Sequence, residues 1–306
     1  MALASSGFGE ICGLVAALTW AVGSLLFTKI GARTSSGAMS LGKTTSAALM
    51  LVAMQVLLAR AHGEAIVPAT LYGRPGALLA LSAIVGLAIG DTALFGSMLT
   101  LGAPRAMLIH SSAPIFAAIA GRVFLHEQLS LRAIVGIAIT VSGIAVVISG
   151  RRDGAPLTPA KLRKGVALGL IAAVGQATGS VLSRQATKGA LSPIAAASFR
   201  LCVGAIALAV VMLPSGHTRA WLRELRIDRT WLRVAGASFI GSCCGLWLAQ
   251  TSLKESQSVG VAATLLATTP IFLLPLAHLA KIERMTARAS FGVASAICGV
   301  AALTLR

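Results

Sequence analysis

Residues 113–145 read APIFAAIAGRVFLHEQLSLRAIVGIAITVSGIA, and residues 269–301 read TPIFLLPLAHLAKIERMTARASFGVASAICGVA. The two blocks align without a gap, 156 positions apart, with ten of their 33 positions identical. Pro114 falls on Pro270, Glu127 on Glu283, Gly136 on Gly292 and Gly143 on Gly299. The same offset returns further upstream, where GLVAA at 13–17 matches GLIAA at 169–173 and Gly23-Ser24 matches Gly179-Ser180. A repeat this long, with one spacing at both ends, marks a duplicated unit.

What the unit is made of follows from composition. Apolar residues are 56% of the chain and charged residues 11%, with a mean hydropathy of +0.86. A soluble domain carries roughly 25% charged residues, so this chain needs lipid as its solvent. The net charge of +17 comes from a shortage of acids (9) rather than an excess of bases (26). Together with the absence of an RNA- or DNA-binding motif, that argues against nucleic acid as a partner. The bases fall in short stretches between apolar runs, where they orient the chain and meet anionic lipid. Cys12, Cys202, Cys243, Cys244 and Cys298 all lie in apolar segments without CxxC spacing or a nearby His. They read as small apolar residues on buried helix faces. The first apolar run is preceded by no basic residue, so a cleaved signal peptide is not expected.

A membrane-crossing helix needs ~20 mostly apolar residues. Ten segments meet that standard: 9–28, 38–59, 76–99, 105–125, 131–149, 165–184, 193–213, 231–252, 258–280 and 288–305. The longest connections are 60–75, 150–164 and 214–230. The middle one falls between the repeats and reads as a linker. The expected organisation is therefore an all-α membrane protein: a first five-helix repeat over 1–149, a linker over 150–164 and a second five-helix repeat over 165–306. An odd number of crossings per unit forces the second unit to run inverted to the first. Inverted repeats with a site between them near mid-bilayer mark many secondary transporters.

Glycine and proline punctuate both units alike. Gly86 and Gly90 in the third span match Gly241 and Gly245 in the eighth at an offset of 155. Each pair is a GxxxG, which lets helix backbones approach closely. Gly136/Gly143 and Gly292/Gly299 are two turns apart on one face and read as packing too. Pro114 and Pro270 fall mid-helix, where a missing N–H kinks the helix and serves either packing or a hinge.

Ionisable groups inside spans are costly and face a cavity or a partner. Asp91 is the acid lying well inside a span, and His110 lies at a similar depth on the antiparallel neighbour. They read either as a structural hydrogen-bonded pair or as a functional pair, linked to protons or to a substrate amine. Leu246 and Leu266 take their places in the second repeat. Lys43 and Arg200, an early pair in the second and seventh spans, read either as snorkelling side chains or as two cations facing an anionic substrate group. Trp20, Gln176, Trp247 and Gln250 are candidates for cavity walls, which need a few convergent polar groups and aromatic surfaces. Glu127 and Glu283 precede Ser130 and Thr286, expected N-caps of the fifth and tenth helices, and read as loop anchors. No catalytic residues, metal ligands or cofactor are expected. There is no Walker-type GxxxxGK[ST], no HExxH, no paired acidic metal motif and no GxSxG. An ion or substrate gradient is left as the source of energy.

With ten spans and two five-helix repeats, the chain resembles the EamA type of the drug/metabolite transporter superfamily. The most specific carriers are the two Pro-Ile-Phe…Glu-x-[Leu/Met]-[Ser/Thr]…Gly-x6-Gly blocks and Trp20 followed by Lys29. The resemblance covers essentially the whole chain. It implies a central cavity lined by helices 1, 3, 4, 6, 8 and 9, with helices 5 and 10 at the periphery. Lys43 stands where the family usually has Arg, and Gln176 replaces the repeat's Trp. The resemblance also implies both termini on the cytoplasmic side. The bases favour the reverse: eight lie on the side of the termini and seventeen on the other.

The expected function is a secondary transporter of small organic solutes (amino acids, metabolites or drugs) in a bacterial cytoplasmic membrane. It would work as an exporter by alternating access, with Asp91 and His110 as candidates for proton coupling. The expected partners are the bilayer, the solute and protons. The rivals are a membrane-embedded lipid- or isoprenoid-modifying enzyme and a non-transporting membrane partner.

Overall fold

The structure, a computed structural model, describes residues 7–31, 34, 36–101, 103–149, 158–212, 216, 218–280 and 286–304. Glu283 and its neighbours Lys281 and Arg284, the linker over 150–157, Arg33 and Arg306 lie outside them. Every regular element among the described residues is a helix, without a strand. Among the described residues seven helices are long and apolar enough to cross a membrane, and Ala113–Phe124, Leu131–Val146 and Ala287–Ala302 are shorter apolar helices.

The first repeat comprises α1 (Phe8–Gly31), α2 (Ser36–His62), α3 (Arg74–Ser82, Ala83–Gly90 and Asp91–Leu101 in sequence), α4 (Ala103–His110), α5 (Ala113–Phe124) and α6 (Leu131–Ser149). The second comprises α7 (Pro159–Thr187), α8 (Pro193–Met212), α9 (Thr218–Arg226), α10 (Thr230–Ser238, Phe239–Cys244 and Gly245–Glu255), α11 (Val259–Leu266), α12 (Thr269–Leu279) and α13 (Ala287–Thr304). Several starts carry the expected caps. The Ala133 N–H donates to Ser130 Oγ at 3.1 Å and the Ala289 N–H to Thr286 Oγ1 at 3.2 Å.

Four expectations need correction. The fourth and ninth spans are broken rather than kinked, by turns at Ser111–Ser112 and Ala267–Thr268. Pro114 and Pro270 open the second piece of each span, where a residue without an N–H costs nothing. Carbonyls before the breaks are met locally. Ser112 Oγ donates to Ile109 O at 2.6 Å, Thr268 Oγ1 to Leu265 O at 2.6 Å, and Thr269 Oγ1 to Leu266 O at 3.1 Å. Residues 159–164, read as linker, are the first turns of α7, with Thr158 accepting from the Lys161 N–H at 3.4 Å. The connection over 214–230 contains α9, whose Trp221 and Leu225 pack against Ala38 and Val234 while its arginines stay exposed. Of the cysteines only Cys12 and Cys243 are buried, and Cys298 is exposed.

The middle pieces of α3 (Ala83–Gly90) and α10 (Phe239–Cys244) are π-helical. A π segment adds a residue to a turn and is frequent at functional sites. Each is crossed by a helix of the other repeat. A Cβ on Gly23 of α1 would stand 2.6 Å from Gly241 Cα, and one on Gly179 of α7 would stand 3.2 Å from Gly86 Cα. The GxxxG glycines thus serve close packing: Gly241 lies against Gly23 and Gly86 against Gly179, while Gly245 faces Trp20 and Gly90 faces Gly175. Helices α6 and α13 pair in the same manner. A Cβ on Gly143 would meet Gly292 O at 2.7 Å, and one on Gly299 would meet Gly136 O at 2.9 Å.

Candidate substrate cavity

The crossed helices leave a chamber of about 320 Å³ between the repeats. Its ionisable lining groups are Lys43, Asp91, His110 and Arg200. Asp91 is the first residue after the π segment of α3. The widened turn sets its carboxylate on the chamber wall, open to that space. The matching π segment of α10 runs out one residue before Gly245, and Leu246 lines the same chamber. One backbone device thus delivers an acid from one repeat and an apolar group from the other.

Arg200 is 5% exposed, so it does not snorkel. Its guanidinium lies beside Gly86, whose added Cβ would be 3.6 Å from an Arg200 terminal nitrogen. Its Nε is buried without a hydrogen-bond partner. Lys43 stands 5.7 Å above the Phe27 ring, a cation–π distance. Among the described residues no direct ion pair joins either cation to Asp91, and no hydrogen bond joins Asp91 to His110. His110 Nδ1 is likewise buried without a partner. Four ionisable groups therefore share one chamber without neutralising one another by contact.

A second chamber of about 220 Å³ adjoins the first. Both are walled by Trp20, His110, Gln176, Ser180 and Leu266. Beyond that shared wall the second chamber is mostly apolar, formed by Leu94, Met107, Ile144, Ala263, Pro114 and Pro270, with Ser111 and Thr269 as its polar residues. The two helix breaks thus meet around one space.

Trp20, Asp91, His110, Gln176, Lys43 and Arg200 converge on this double cavity, with Pro114 and Pro270 at its apolar end. Trp247 lines neither chamber and is 37% exposed. Gln250 lines neither chamber either. It is fully buried, accepting from Ser183 Oγ at 2.6 Å. The implied set of lining helices also changes, because α2 and α8 supply the two cations and α6 supplies Ile144.

Sequence reading missed Arg184, 7% exposed near the end of α7. It is ion-paired with Glu127 and donates to the carbonyls of Leu253, Ser256 (2.8 Å) and Gln257 (3.2 Å). The other Glu127 oxygen accepts from the Val259 N–H at 2.9 Å. Glu10 of α1, 2% exposed, accepts from the Gln257 N–H at 3.3 Å. This knot lies where α1 and α11 start and α5, α7 and α10 end. Glu127 is a loop anchor, as expected, and the signal for its partner was a basic residue inside the last turn of a long apolar helix.

A helical, multi-pass membrane protein with a charged cavity between two repeats is the class these features define. The EamA-like transporter family matches over residues 7–149 and 163–305, and the chain belongs to that family. No curated protein matches. A solved structure described as "Crystal structure of protein" is similar over 97% of this chain and 96% of its own, with a TM-score of 0.76 and 19% identity. At that identity the likeness concerns the fold.

Proposed function

We propose that the chain is a secondary transporter of small organic solutes that exposes its cavity alternately to the two sides of a bacterial cytoplasmic membrane. The carrying observation is the chamber lined by ionisable groups from both repeats: Lys43, Asp91 and His110 from the first, Arg200 from the second. A site built across two bodies changes its access when one rocks against the other. In this reading the bodies are inverted five-helix repeats with ten crossings, the first over residues 1–149 and the second beginning with α7 at Pro159. The three shorter apolar helices complete that number.

Export is the proposed direction, with the Arg184–Glu127 knot closing one end of the path. Asp91 and His110 face one chamber without bonding each other, which suits groups that exchange protons with water or solute in turn. The test is uptake by proteoliposomes of a labelled amino-acid and metabolite panel, with and without a pH gradient. Saturable, gradient-driven uptake that Asp91→Asn uncouples supports proton-linked transport. Uptake that keeps its gradient response in the mutant retains the transporter and removes Asp91 from coupling.

A further inference from the structure

Resting on that transport reading, we infer that the double cavity selects an organic monoanion with an apolar body, its acid group held by Arg200 and Lys43. The argument starts from charge. The ionisable groups lining the two chambers are Lys43, Arg200, Asp91 and His110, the last also facing the apolar side. With His110 neutral, the wall carries two positive charges and one negative. Lys43 and Asp91 are exposed to the chamber, whereas Arg200 is buried, and a charge buried in a low-dielectric interior is costly and calls for a partner. Asp91 offsets one of the two cations through the chamber, and the second remains.

One negative charge on the solute brings the site to neutrality. A zwitterion leaves the surplus in place, a dianion overshoots by one, and a cation doubles the imbalance. Arg200 also shows where the anion binds. Its guanidinium is 5% exposed, lines the chamber and has an unpartnered Nε. A planar fork of donors in that position matches the two oxygens of a carboxylate.

Shape supplies the rest of the solute. The charged chamber continues past Trp20, His110 and Gln176 into a space walled by Leu94, Met107, Ile144 and Ala263. No ionisable group lines that space besides the shared His110. A solute with its acid at Arg200 can therefore lay an aliphatic or aromatic body across Trp20 toward the paired prolines. An anion without such a body would leave the apolar chamber to water.

The experiment measures equilibrium binding to the full chain in nanodiscs of zwitterionic lipid. The probes share one ring and differ in charge: 3-phenylpropionate, phenylsuccinate, phenylalanine, phenethylamine and 3-phenylpropanol. Acetate is the anion without a body. The expected result is 3-phenylpropionate at least tenfold tighter than every other probe, with a tenfold or greater loss in Arg200→Gln. Asp91→Asn removes the wall's one negative charge and leaves the two cations uncompensated, so phenylsuccinate should overtake 3-phenylpropionate there. That exchange and the acetate comparison remain decisive should Arg200→Gln not fold. Preference for the zwitterion or the cation, equal binding of acetate, or no binding of 3-phenylpropionate by folded wild type would overturn the inference. The transport reading fails separately: it falls if a bound probe is never carried across proteoliposomes, whatever its charge.

Discussion

Arg184 and Glu127, 57 positions apart, form an ion pair between the end of α7 in one repeat and the α5–α6 connection in the other. Both side chains are under 10% exposed, and the same guanidinium gathers one carbonyl from the last turn of α10 and two from the α10–α11 connection. His126 turns the chain there with φ of 54°, and the Glu127 N–H donates back to Gly121 O at 3.2 Å. Gly121 leaves the space: a Cβ on it would lie 2.8 Å from Glu127 Oε2.

Removing one partner of a buried pair strands the other charge, at a cost of about 3–5 kcal/mol. Glu127→Gln and Arg184→Met should each lower the melting temperature of the detergent-purified protein sharply. The double variant should lose less than the two single losses combined. Additive losses would mean that the two residues act independently.

Substitution at the glycine crossings should be far more damaging than at open glycines. Gly23→Val and Gly179→Val place side chains against the backbones of Gly241 and Gly86. Both should abolish a monodisperse peak in size-exclusion chromatography. Gly236, helical and with nothing within 4 Å of an added Cβ, is the control. Gly236→Ala should keep the peak and raise stability by up to about 1 kcal/mol.

The two tryptophans of the sequence reading should separate cleanly in transport. Trp20→Ala removes a wall shared by both chambers, and at least tenfold of the uptake rate should go with it. Trp247→Ala, altering an exposed group that lines neither chamber, should stay within about twofold of wild type, as surface changes away from special features usually do. Equal effects would relocate the solute path.

At the broken helices, alanine in place of proline restores an N–H that can continue the ladder across the turn. Pro114→Ala and Pro270→Ala should therefore stiffen the spans and slow turnover severalfold, while KM stays within about twofold, the pattern of a conformational step. Pro114→Ala should have the larger effect. In the second repeat Thr269 Oγ1 already occupies the Leu266 carbonyl at 3.1 Å, and Ala113 offers no such hydroxyl. A change in KM alone would assign the prolines to solute contact.

Much of this site was legible because polar groups in apolar runs stand out. Asp91, His110, Lys43 and Arg200 could each be named from hydropathy alone, and the repeat offset identified the glycines and prolines. Helix rotation was harder to read. Span eight is apolar on every side, so its pattern could not say that Trp247 and Gln250 miss the two chambers. Nor does GxxxG distinguish an α turn from a π turn, and the π segment is what sets Asp91 on the wall. Arg184 was hidden because a base near a helix end resembles any loop charge until Glu127 is brought beside it by folding.

The reciprocal crossing of α1 on α10 and of α7 on α3 also bears on biosynthesis. Gly23 is made early, but the Gly241 backbone it lies against emerges only after most of the chain has been synthesised. Until then the first helix must wait in the bilayer with its small-residue face against lipid, while the Gly86–Gly179 contact can already form. The α1–α10 contact can therefore close only once α10 has been made, later than the α3–α7 contact. A ribosome stalled before α10 would leave a half-built protein whose first helix is free to pair with the wrong neighbour.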